Sequence, residues 1–254
     1  MGDALLEVEN LSAGYGRKVI QQNLNFSVRR GEVFVVMGGS GCGKSTLLRH
    51  LIGLQAPLAG RVLLHGEDFW AADEQRRATL QRHFGVLYQN GALWSGMTLA
   101  ENITLPLAAC HPRLGRAERA ELAALKLALV GLAGCDALYP AELSGGMRKR
   151  AGLARALALD PEVLFFDEPS AGLDPLSCAA LDELILELRD SLGASIVLVT
   201  HELPSIYRVA DTCLFLDARR RTQIALGPLR QLLDSGPPEV QRFLRRGLSQ
   251  ESRP

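Results

Sequence analysis

Neither sign of charge prevails in this chain: 28 lysines and arginines stand against 28 aspartates and glutamates. Such a balance provides no global field to hold nucleic acid or an anionic membrane, so any partner is met through specific surfaces. Paired cysteines are missing too. Cys42, Cys110, Cys135, Cys178 and Cys213 are odd in number, widely spaced and free of any CxxC or Cys/His cluster. That pattern excludes a disulfide framework or a thiolate metal site and fits reduced thiols in a cytosolic protein. The start, Met1 to Asn10, carries Asp3, Glu7 and Glu9 where an export leader needs a basic segment before an apolar one. No uncharged apolar run approaches twenty residues, so a chain that neither is exported nor spans a membrane is expected. Internal repeats and low-complexity tracts are absent as well.

What is there is apolar material in quantity. With 254 residues and 47% hydrophobic content, the chain can bury a real core, at the upper size of one compact domain. Val33 to Met37, Val163 to Phe166 and Ile196 to Val199 are strand-length apolar runs, rich in β-branched residues and bounded by glycine or polar residues. Strands apolar on both faces suit a buried parallel sheet. Between them lie helix-like stretches, Lys44 to Leu54, Ser144 to Leu159 and Pro175 to Leu192, the last with proline in an allowed first-turn position. Strands alternating with helices imply an α/β fold. From about Tyr88 to Leu159, Ala- and Leu-rich segments such as Arg116 to Leu132 predict a helical insertion without strands. After Gly236, the pair Pro237-Pro238 and the short stretch Glu239 to Arg246 predict a tail that packs elsewhere or not at all.

Gly38-Gly39-Ser40-Gly41-Cys42-Gly43-Lys44-Ser45 follows a buried strand and opens a helix, the context that marks a phosphate-binding loop. Glycines let backbone N–H groups converge on phosphate oxygens, and the helix start adds positive potential. Lys44 then reaches the β- and γ-phosphates and Ser45 ligates Mg²⁺. Val163 to Phe166 runs into Asp167 and Glu168, which places two carboxylates at a sheet's carboxyl edge, where ligands of open α/β sheets bind. Asp167 is then the acid that holds Mg²⁺, and Glu168 the base or positioning group for the attacking water. His201 leaves another apolar strand and should emerge at the same kind of edge, within reach of a γ-phosphate or as a structural residue.

With Leu143-Ser144-Gly145-Gly146 and Ser170-Ala171-Gly172-Leu173-Asp174-Pro175 added to those motifs, nearly the whole chain resembles the ABC ATPases. The resemblance implies a P-loop NTPase of the ABC type, with a mostly parallel core sheet, an antiparallel β edge and a helical subdomain. It implies a RecA-like ATP-binding core over residues 1–87 and 160–235, a helical subdomain over 88–159, and a tail over 236–254. Carried over residue by residue, Tyr15 is the adenine-stacking aromatic, and the loop's contacts run from Gly38 to Thr46. Gln89 is the Q-loop residue and a metal ligand, Asp174 the aspartate of the D-loop, and His201 the switch histidine. Two subunits would pair head to tail, so that ATP on one loop is capped by Ser144, Gly145 and Gly146 of the other. Hydroxyl, amides and a helix start there form a second anion site.

One departure narrows the resemblance. Met147 stands where most of the family has glutamine, and Gly146-Met147-Arg148-Lys149-Arg150 with Tyr88 to Thr98 is similar to the ATPases of Mla-type, mammalian-cell-entry-domain lipid transporters. That likeness implies ATP hydrolysis driving phospholipid or lipid transport at the cytoplasmic face of the inner membrane. The implied assembly is a homodimer with two permease subunits and a mammalian-cell-entry-domain lipid-binding protein, without nucleic acid. Leu93, Trp94, Met97 and Leu99 are candidates for the permease-facing surface or, alternatively, for the helical subdomain's own core. Arg219-Arg220-Arg221 reads as a solvated turn ahead of a lipid-headgroup contact. Two other functions stay open: an ABC ATPase for another small solute, and a non-transporting regulatory ABC ATPase. The second normally brings coiled coils, zinc modules or a second ATPase domain, and none is visible in this sequence.

Overall fold

The computed structural model describes residues 4–248, which divide into two compact units: one built from the chain up to Gln81 and from Leu186 onward, the other from Arg82–Ile185. In the first unit, β1 (Ala4–Tyr15) and β2 (Lys18–Arg29) form a long antiparallel hairpin, joined by β4 (Ala59–Leu64) and β5 (Glu67–Asp68) into a sheet of order β2-β1-β4-β5. Between them in sequence lie β3 (Val33–Gly38) and α1 (Lys44–Leu51), with α2 (Glu74–Gln81) following β5.

The return of the chain to this unit brings β8 (Ser195–Val199), α7 (Leu203–Val209), β9 (Thr212–Asp217), β10 (Thr222–Pro228), α8 (Leu229–Ser235) and α9 (Pro238–Leu248). Here β3 pairs parallel with β8 on one side and with β9 on the other, and β10 closes the edge antiparallel to β9. Every residue of β3 is buried, as expected of a central strand apolar on both faces. Phe34 stacks on Phe26 at 5.2 Å, which ties this parallel layer to the hairpin.

The second unit opens with β6 (Phe84–Leu87), then α3 (Leu99–Cys110), α4 (Arg116–Leu129), a single 3₁₀ turn at Pro140–Glu142 and α5 (Gly145–Ala156). β7 (Val163–Asp167) and the start of α6 (Pro175–Leu192) complete it, the division between units falling inside α6. β6 and β7 pair in parallel with Leu87 opposite Phe166. The described structure is thus α/β, with a mostly parallel layer, an antiparallel edge and a helical segment after β6.

Several boundaries differ from the expected ones. α1 ends at Leu51 and not Leu54, because Ile52 already leaves the helix and Gly53 turns into the left-handed region at φ 83°. The tail is the larger correction: α9 packs on its own unit instead of elsewhere or nowhere. Val240 and Leu244 are fully buried, Phe243 meets Phe215 edge-on at 5.2 Å, and the Tyr207 hydroxyl donates to Leu244 O at 2.7 Å. Apolar residues spaced i, i+3, i+4 gave this helix a stripe to bury, a period the proline pair masks. Residues 249–254 of the expected tail lie outside the described residues. All five cysteines are free, and burial pushes the thiols of Cys42 and Cys213 upward, the latter to about 12, away from thiolate reactivity. Among the described residues no helix is long and apolar enough to cross a membrane.

Candidate nucleotide site

In the first unit the chain leaves β3 at Gly38 (φ 148°) and runs through an open loop into α1, which starts at Lys44. Only glycine fits at position 38: a Cβ there would lie 2.5 Å from Leu216 O and 2.8 Å from Cys42 Sγ. Gly39, Ser40, Gly41 and Ser45 face solvent, whereas Lys44 is buried and donates from Nζ to Gly38 O at 3.1 Å and Gly39 O at 3.4 Å. The ammonium is therefore held over the loop before any anion arrives, next to amides and a helix N-terminus of the same sign.

Tyr15, the last residue of β1, stands beside this loop. The residue is 42% exposed while its hydroxyl lies 3.3 Å from Thr46 Oγ1, which suits the ring to a stacking partner. His50 fixes the adjoining backbone: Gly14 N–H donates to His50 Nε2 at 3.0 Å, and His50 Nδ1 donates to Gln55 O at 2.7 Å. Burial pushes the pKa of His50 below its ordinary value, which keeps this neutral tautomer. Beneath the loop, buried Gln21 donates from Nε2 to Cys42 O at 2.6 Å and Asp217 O at 3.1 Å. His201 follows β8, whose Val199 is level with Val36 of β3, so His201 emerges at the strand edge from which the loop departs. It is exposed, with Nε2 at 3.7 Å from Glu202 Oε1.

In the second unit, the pairing of Leu87 with Phe166 brings two further sets of residues out at one edge: Tyr88-Gln89 after β6, and Asp167-Glu168 at the end of β7. Glu168 sits at φ 48°, a left-handed conformation that costs a non-glycine residue about 1–3 kcal/mol and clusters at functional positions. Ser144 caps α5, its Oγ accepting from Met147 N–H at 3.2 Å. Gly145 shares a cleft of about 370 Å³ with Gln89, Asn90, Lys149 and Leu173. Asp174 has a structural duty of its own: Oδ1 accepts from Leu176 and Ser177 amides at 3.1 and 3.0 Å, and Oδ2 from Ser177 Oγ at 2.5 Å. These bonds start α6 and hold the Asp174 carboxyl below the usual carboxylate range.

Residues 21–171 match the family described as "ABC transporter". The chain belongs to that family. As an ABC cassette it is of the ATP-hydrolysing class, and its fold is that of solved cassettes. It superposes on the dimeric ATP-binding cassette MJ0796, in a post-hydrolysis state bound to ADP and Pi, with a TM-score of 0.79 at 26% identity, over 89% of this chain and 99% of that one. Against cbiO1 from Clostridium perfringens, part of the transporter complex cbiONQ, the TM-score is 0.82 at 26% identity over 98% and 97% of the two chains. In sequence it is 40% identical over 239 residues to the Mycobacterium tuberculosis "Probable ribonucleotide transport ATP-binding protein mkl", 94% of this chain but 66% of that protein's length. It is 37% identical over 245 residues to the Haemophilus influenzae "Intermembrane phospholipid transport system ATP-binding protein MlaF", 96% of this chain and 92% of that protein.

The cassette also uses residues that carry no motif. Asn102, fully buried in α3, accepts from Trp94 N–H at 2.7 Å and donates to the carbonyls of Trp94, Met97 and Thr98 at 3.1, 3.1 and 2.9 Å. It thereby shapes the loop that leaves Trp94 60% exposed, with Leu93 and Met97 half-buried. Leu99 is different. It is fully buried as the first residue of α3, so the core reading holds for it. Gln21, His50 and Asn102 were invisible as site residues because a lone amide or imidazole reads as ordinary until its backbone partners are known.

Proposed function

We propose that this ABC cassette binds MgATP and hydrolyses it to power phospholipid or related lipid transport at the cytoplasmic face of the inner membrane. The observation that carries the cargo is the near end-to-end similarity to the phospholipid-system ATPase of Haemophilus influenzae. The donor set suits the nucleotide: a glycine-rich loop with Gly39 and Gly41 exposed, a pre-placed Lys44 ammonium, an exposed Ser45, and a turn at Gly38 where a Cβ would collide with Leu216 O and Cys42 Sγ beneath the loop. In this reading Tyr15 stacks on adenine, while Gly38 to Thr46 hold the phosphates. Ser45, Gln89 and Asp167 are the residues that would hold Mg²⁺, which when bound would neutralise phosphate charge. Glu168 accepts a proton from, or orients, the attacking water, and His201 contacts the γ-phosphate.

The partners in this proposal are a second copy of the chain, whose Ser144, Gly145 and Gly146 cap the nucleotide, two permease subunits, and a mammalian-cell-entry-domain lipid-binding protein. Support for a permease contact comes from the loop organised by Asn102: an exposed tryptophan held on a fixed backbone is suited to burial against another protein. A second cargo is favoured by the similarity to the mycobacterial ribonucleotide-transport protein. Purification of the intact membrane complex, with mass spectrometry of what it carries, decides between them. Copurified phospholipid is the expected result; a complex free of lipid that binds ribonucleotides at a transport site would replace this cargo assignment with the other.

A further inference from the structure

Gln89 is exposed, at the start of a loop without helix or strand that lasts until α3 at Leu99. What fixes its backbone is one face of α5. Lys149 Nζ donates to Gln89 O, Arg155 Nη1 donates to Ala92 O, and Arg155 Nη2 lies 3.4 Å from Gly91 O. Midway between these two cations, Gly152 packs directly on the loop: a Cβ there would sit 2.8 Å from Gly91 O and 3.0 Å from Gly91 Cα. Positions 149, 152 and 155 recur every three residues, so they share one side of the helix.

The clamp holds a backbone that resists its own conformation. Gly91 and Ala92 are both left-handed, at φ 73° and 51°, and for alanine that region is disfavoured. Lys149 is buried, with the neutral carbonyl of Gln89 as its hydrogen-bond acceptor. An ammonium taken out of water against one neutral oxygen is a poor source of stability, so its value lies in what it positions.

We infer that Lys149 and Arg155 are positioning residues. By gripping the carbonyls of residues 89, 91 and 92 they set the direction in which the Gln89 side chain leaves the loop, and they make the loop move with the helix that Ser144 begins. The inference rests on the proposed role of Gln89 toward MgATP. An α5 displaced at its Ser144 end by a second copy would carry Gln89 with it, which links capping to metal positioning through one rigid helix.

The test uses the full-length chain, with ATP hydrolysis titrated in Mg²⁺ and hydrogen exchange of residues 89–92 followed by mass spectrometry. Lys149→Met is expected to lower kcat about tenfold and raise the Mg²⁺ half-saturation, with KM for ATP changed by less than about twofold, as befits misplacement of one group. Exchange in residues 89–92 should rise, and Lys149→Arg, which still donates to a carbonyl, should return kcat to within about threefold of the parent. Gly152→Ala should reproduce the kcat loss without removing a charge, and it carries the test if Lys149→Met does not fold. A folded Lys149→Met or Gly152→Ala with parental kcat and exchange overturns the clamp. So does a Lys149→Arg as impaired as Lys149→Met, since that indicates a structural need for one particular side chain. Gln89→Ala separates the two layers: unchanged Mg²⁺ dependence there removes the role of Gln89, while the exchange data still decide whether α5 holds the loop.

Discussion

A motif names the residues that touch a ligand, while neighbours without one decide how those residues stand. In the proposed site, Tyr15 is of the first kind. Its exposed ring lies beside the phosphate loop, and stacking of this type contributes about 1 kcal/mol, so Tyr15→Ala should raise KM for ATP about fivefold. Turnover at saturating ATP should stay nearly parental, because a ring stacked on adenine would act away from the γ-phosphate; steady-state kinetics would expose the opposite outcome. His50 is of the second kind. Its neutral ring accepts from Gly14 N–H, and protonation would place a hydrogen where that bond arrives. The folded-state pKa lies below the ordinary 6.5, so the fold's stability is complete above that pH and declines as pH falls toward the depressed value. Urea unfolding at about pH 7.5 and about pH 5.5 should show this loss in the parent and lack it in His50→Leu. At about pH 7.5 that variant should be less stable by about 1–3 kcal/mol, through the orphaned Gly14 amide, and the gap should narrow at about pH 5.5.

Among elements, the helices were legible in kind and less so in extent. α3 carries a capping box, Glu101 N–H donating to Thr98 Oγ1 at 3.2 Å and Thr98 N–H to Glu101 Oε2 at 2.8 Å, which anchors the end of the Trp94 loop. Leu93, Trp94, Met97 and Leu99 are equally apolar in the sequence, and only the packing of α3 separates buried Leu99 from exposed Trp94. The loop's order yields a prediction: Trp94→Glu should leave a helical, soluble chain by circular dichroism that no longer copurifies with the proposed permease. Asn102→Ala should lose the same partner by another route, because four hydrogen bonds that shape the loop go at once, with a stability cost of about 1–3 kcal/mol. Retained copurification by Trp94→Glu would place the permease contact elsewhere. At α9 the pair Pro237-Pro238 signals a break, whereas the stripe Val240, Phe243, Leu244 that follows it is what binds the helix to its unit.

For the molecule as a whole, Glu168 is the residue that, in the proposed mechanism, separates binding from hydrolysis. Glu168→Gln keeps the shape of the side chain and removes its charge and basicity, so ATP should still bind while turnover falls about a hundredfold or more, the scale of general-base catalysis. Closure of two copies over MgATP should then persist, and adding Ser144→Arg should abolish it by clash. Light scattering with and without MgATP reads both; parental turnover in Glu168→Gln, or closure indifferent to Ser144→Arg, would contradict the composite site. The α/β class, the strand before Gly38, the helix after it and the acids after Phe166 could be read directly, because each depends on local order: a glycine spacing, a buried run, a pair of carboxylates. Tertiary structure alone decided that Lys149 and Arg155 hold carbonyls some sixty residues away, that Asn102 shapes the Trp94 loop and that His50 stays neutral. The backbone groups they bind are common to every residue, so no side-chain pattern along the chain can announce which carbonyl or amide a distant cation, amide or imidazole will meet.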